Sequence, residues 1–67
     1  MTKSLGDSIQ EEIKRVSALR DEYLLIPTGF IGASMMEISI DKAVKALADG
    51  DVIEIMQAFE DLKGFTG

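Results

Sequence analysis

Within this 67-residue chain, the stretch Gly29-Phe30-Ile31-Gly32-Ala33-Ser34 has the residue types and spacing to hold a ligand. Glycines ahead of a helix let backbone N–H groups approach an anion, and the helix dipole favours negative charge there. In that reading Thr28 and Ser34 supply hydrogen bonds, Phe30 or Tyr23 stacks on a base, and Lys42 or Lys45 brings positive charge from a neighbouring subunit. The stretch lacks the lysine and the preceding strand of a P-loop, and its glycines are not spaced as in the dinucleotide-binding fingerprint. The same residues also suit a tight turn between helices that needs small side chains. Both readings stand open at this point.

Other chemistry has few carriers. The chain has no histidine and no cysteine, and no serine stands near an obvious base, so no catalytic set is visible and the chain is expected not to be an enzyme. Disulfides are excluded and the usual soft metal ligands are missing; neither a metal nor a cofactor is expected. Asp49-Gly50-Asp51 lacks the spaced oxygen ligands of a calcium loop and reads as helix capping. Tyr23 reads as an amphipathic residue at the edge of the core with a wetted hydroxyl. Met36 and Met56 read as core filler, whereas Met35 is assigned to an interface.

The elements that must position these residues follow from composition and periodicity. A content of 46% hydrophobic and 28% charged residues describes a folded chain, and the length allows a single domain over residues 1–67. The net charge is −5 and no basic stripe is present, which argues against DNA or RNA as partner. No apolar run approaches the roughly 18 residues of a membrane span, and no signal-peptide pattern opens the chain. A cytoplasmic protein without membrane contact is expected.

Three helices are predicted, over about 7–26, 30–49 and 52–63, after a loose segment 1–6. Asp7 is the expected cap of the first, with Gln10 completing a capping box. Its apolar face is Ile9, Ile13, Val16, Leu19, Tyr23 and Ile26, its solvent side is laced by Glu11–Arg15 and Glu12–Arg15 pairs, and Pro27 ends it. Thr28, or later Ser34, is the expected cap of the second helix, whose main face is Met36, Ile40, Ala43, Val44 and Leu47. Gly50 supplies the left-handed residue after it. Asp51 then caps the third helix, with Glu54 at N3. Val52, Ile55, Met56, Phe59 and Leu62 form its face, Gly64 closes it, and Phe65 folds back on Phe59. The expected fold is an all-α antiparallel hairpin or bundle.

These helices own more apolar surface than one copy needs. Ile31, Met35 and Ile38 recur at i, i+4 and i+7 on the side of the second helix opposite its main face, and Lys42, Lys45 and Asp49 continue that line in polar form. Ile53 and Ala58 widen the apolar arc of the third helix. Large exposed apolar patches are uncommon on soluble monomers, and a domain this short is marginal alone. A homo-oligomer is therefore expected, with Ile31, Met35, Ile38 and Ile53 at its interface.

The runs Arg20-Asp21-Glu22-Tyr23, Gly29-Phe30-Ile31-Gly32-Ala33, Ala46-Leu47-Ala48-Asp49-Gly50-Asp51-Val52 and Phe59-Glu60-Asp61-Leu62-Lys63 span roughly residues 19–64. Together they resemble small helical accessory proteins of tailed phages and prophages. The resemblance implies a phage protein acting in the host cytoplasm. Such proteins often antagonise host defence, some as oligomers that sequester a nucleotide second messenger between subunits. It brings no binding residues with it. Two functions follow as expectations. One is a small nucleotide ligand held near Tyr23, Thr28, Gly29, Phe30, Gly32, Ser34, Lys42 and Lys45, for which Gly32→Val should be the damaging change. The other is a protein-interaction module that masks a host or phage protein, or a structural or assembly subunit.

Overall fold

The computed structural model describes residues 3–66. Three helices, α1 (Leu5–Leu24), α2 (Phe30–Asp49) and α3 (Val52–Lys63), pack pairwise on one another, and no strand occurs among the described residues. The expected all-α bundle is what forms. Its extents are 38 × 25 × 16 Å.

Helix α1 begins earlier than the Asp7 cap predicts. Ser4 is the N-cap: its backbone is extended (φ −71°, ψ 160°) and its Oγ accepts from the Asp7 N–H at 3.1 Å. Asp7 is thereby an acidic residue in the first turn, where the helix dipole favours it. The segment expected to be loose over 1–6 is already helical at Leu5 and Gly6, and Leu5 packs on the core; Met1 and Thr2 lie outside the described residues. At the other end α1 stops at Leu24, not Ile26. The Leu25 and Ile26 N–H groups bond back three residues, to the Glu22 and Tyr23 carbonyls, each at 3.1 Å. Proline at 27 disfavours helical geometry at Ile26, so the last turn tightens and Ile26 leaves the apolar face for solvent.

Neither Thr28 nor Ser34 caps α2. Gly29 is the N-cap, with helical backbone angles (φ −83°, ψ −8°) and no side-chain bond. A capping side chain works from an extended N-cap, and here the chain is already turning. Ser34 lies within the helix, its hydroxyl donating to the Phe30 carbonyl at 2.8 Å. The Gly50-Asp51 hinge follows expectation. Gly50 sits at φ 70°, and the Asp51 Oδ1 accepts from the Ile53 and Glu54 N–H groups at 3.0 and 3.2 Å. Gly64, which closes α3, has an ordinary helical φ of −71°, and Phe65 packs against the core.

The interior is made of Ile9, Val16, Leu19, Met36, Ile40, Ile55 and Leu62 together with Ala33, Ala43, Ala46 and Ala58. Four of these positions are alanine, which brings helix backbones close but buries little area. Val44, Val52 and Met56, expected on inner faces, are exposed.

Long-range bonds from Arg15 tie α3 to α1. The Arg15 Nη2 donates to the Leu62 carbonyl at 2.9 Å and its Nη1 to the Phe65 carbonyl at 2.8 Å, while its Nε pairs with Glu12 at 2.8 Å. The end of α3 is thus held directly against the middle of α1, and α2 returns along α1, with its Glu37 paired to Arg20 of α1. Glu11 pairs instead with Lys3 at 2.7 Å. Arg15 does more than lace a solvent face: it gives the Phe65 carbonyl a donor and the Leu62 carbonyl a further one beside the Phe65 N–H at 3.2 Å. Arg15→Met keeps the aliphatic stem and removes the donors, so a loss of about 1–2 kcal/mol is expected. Thermal denaturation should show it as a melting temperature lower by about 5–15 °C.

Candidate binding surface

Tyr23, at the end of α1, explains the glycine turn. A Cβ on Gly32 would meet the Tyr23 ring at 2.9 Å from Cδ2 and 3.0 Å from Cε2, and a Cβ on Gly29 would overlap the Tyr23 backbone carbonyl. The phenol hydroxyl donates to the Thr66 carbonyl at 3.4 Å, a long bond. Small residues at 29 and 32 therefore let α1 and α2 close on one another, and aromatic and backbone atoms take the space an anion would need.

The residues expected around a ligand are consequently dispersed. Tyr23, Gly29 and Gly32 pack together, Thr28 and Phe30 are exposed, and Ser34 spends its hydroxyl within α2. Lys42 and Lys45 lie further along α2, lining an open cleft of about 310 Å³ against Glu54, Gln57 and Asp61 of α3, with Ala46 and Ala58 at its floor. Opposite charges face each other across this cleft. Gly32→Val would disturb Tyr23 whether or not a ligand binds, so it does not separate the two functional readings.

Polar contacts between α1 and α2 are anchored by Arg20. Its guanidinium donates to Glu37 at 2.6 Å and Asp21 at 3.2 Å. The Glu37 hydrogen bond first, then that of Asp21, raises its pKa above the ordinary arginine value. The pair ties the inner flank of α2 down.

The outer flank is uncovered. Ile31, Met35 and Ile38 are 61%, 57% and 56% exposed, and Ile53 on α3 is 69% exposed. Their apolar neighbours were not all anticipated: Leu24, Leu25, Ile26 and Phe30 are each more than half exposed at the α1–α2 corner, immediately before Ile31. Pro27 is the available signal, since ending α1 before it takes Ile26 off the core-facing stripe. The stripe Ile31, Met35, Ile38, Lys42, Lys45, Asp49 advances in steps of four and three, so it stays on one line of the helix surface.

These features define a small all-α three-helix bundle with an apolar face open on its central helix. No helix among the described residues is long and apolar enough to cross a membrane. No family model, no curated protein and no solved structure matches the chain.

Proposed function

We propose that this chain is a non-catalytic protein-interaction module whose working surface is the Ile31/Met35/Ile38 face of α2. One observation carries the reading: these side chains stay more than half exposed beside a core that is partly alanine. Contiguous apolar surface on a small domain marks an interaction site. Covering the three would contribute roughly 1 kcal/mol or more each, at about 25 cal/mol per Å². Masking a host or phage protein in the cytoplasm suits such a face. Sequestration of a nucleotide at the glycine turn has less support, because Tyr23 occupies the turn.

Affinity capture with the wild-type chain and with Met35→Glu tests the proposal. The wild type should retain a specific protein, and the variant should retain at least about tenfold less, since a carboxylate cannot be desolvated in an apolar contact. Met35 is exposed, so helix content by circular dichroism should not change. Equal retention by both proteins would rule the face out.

A further inference from the structure

The α2 seam that steps through Ile31, Met35, Ile38, Lys42, Lys45 and Asp49 has the alternation of four and three by which one helix packs along another. Only its first half is apolar. Accepting that this face is the binding surface, we propose that its occupant in the chain by itself is the same face of a second copy, which a captured protein displaces. The two α2 helices lie antiparallel about a two-fold axis at Met35, so that Ile31 meets the partner's Ile38.

Charge decides the direction. In a parallel pair Lys42 and Lys45 would each face their own counterparts along a seam that excludes water, and like charges so placed repel. In an antiparallel pair centred on Met35 all three apolar positions meet apolar positions. Lys42 lies seven residues from Met35, about 10.5 Å along the axis, whereas the partner's α2 extends only five residues back to Phe30, about 7.5 Å. The lysines therefore pass the start of the partner helix and reach its α1–α2 corner. There α1 ends on its negative pole, with Glu22 nearby, Asp21 paired to Arg20 and no basic residue in the last turn. Shifting the register by one step toward the end of α2 would set Ile31 against the partner's Lys42.

Area supports the same occupant. Leu24, Leu25, Ile26 and Phe30 adjoin the seam residues at one end of the bundle, and all seven side chains are more than half exposed. At roughly 100 Å² apiece they offer about 700 Å², close to the ~800 Å² per partner of a standard interface. A two-fold contact also presents each copy with a surplus equal to its own.

The chain has no cysteine, so single introduced cysteines report the register directly. The panel is Ile31→Cys, Met35→Cys, Ile38→Cys, Lys42→Cys and Ile53→Cys, oxidised in solution after sedimentation has measured the mass of the unmodified chain. A dimer is expected. Met35→Cys should form a covalent dimer at least about tenfold faster than the other four variants, because a disulfide needs Cα atoms within about 7 Å. A mixture of Ile31→Cys and Ile38→Cys should cross-link where neither does alone. Self-linking at Ile31, Ile38 and Lys42 would mean a parallel pair, and linking of Met35→Cys to Ile53→Cys a head-to-tail contact; either overturns the proposal. So does a monomer at roughly 100 µM. If that monomer still lost its captured protein on Met35→Glu, self-pairing would fall while binding through this face stood.

Discussion

Gly29→Ala lowers the stability of the bundle by about 2–4 kcal/mol, more than an overpacked side chain usually costs. The added methyl overlaps the Tyr23 carbonyl oxygen, a backbone atom that cannot rotate aside. The corner has to open to admit it, which endangers the Gly29 N–H to Ile26 carbonyl bond of 2.9 Å and lifts the Tyr23 ring from Gly32. Space is the requirement here, since φ at Gly29 is an ordinary −83°. For a domain of this length the whole stability is about 3–10 kcal/mol. A melting temperature lower by roughly 10–25 °C is expected by circular dichroism. Gly6→Ala is the control: the nearest atom to its Cβ is the Ser4 Oγ at 3.8 Å, and it stands inside α1. There alanine should gain about 0.5–1 kcal/mol. Should Gly29→Ala melt as the wild type does, the close approach of α1 and α2 is not what holds this corner.

Leu62→Ala is expected to cost about 3 kcal/mol. Leu62 is 0% exposed and belongs to the buried cluster shared by the three helices, so truncation removes transfer energy and leaves a cavity that close-packed neighbours fill only in part. The backbone contact from Arg15 to the Leu62 carbonyl does not depend on the side chain and survives. Urea denaturation should show the midpoint falling with the slope unchanged, the sign of lost stability without a changed unfolded state. Met56→Ala, on the exposed side of α3, should stay within about 0.5 kcal/mol of wild type. A cost equal to that of Met56→Ala would place Leu62 outside the core.

What sequence reasoning reaches here depends on the range of the interaction. Gly50-Asp51 is local: a left-handed glycine followed by a capping aspartate needs no third partner, and the structure has both. The outward turn of Ile31, Met35 and Ile38 follows from helical period alone. The start of α1 is also local, because Ser4-Leu5-Gly6-Asp7 is itself a capping pattern, with its cap three residues ahead of Asp7. Ala46 and Ala58 are different. Hydrophobicity does not single out alanine as interior, and only the approach of α3 to α2 puts them there. The reach of Arg15 to the end of α3 crosses 47 residues of sequence and leaves no trace in spacing. Gly29 and Gly32 suit an anion cradle and a close helix contact equally well; the deciding atom is the tyrosine six and nine residues earlier, which only the packed corner reveals.

The alanines of the core have a thermal consequence. A domain of this length normally gains about 0.8–1.0 kcal/mol/K in heat capacity when it unfolds, mostly from newly wetted hydrocarbon. Here a good part of the hydrocarbon is wet before unfolding begins, so a lone copy gains less and its stability curve is shallow. Cooling and warming change its free energy slowly, and whatever covers α2 takes up the missing heat capacity on contact.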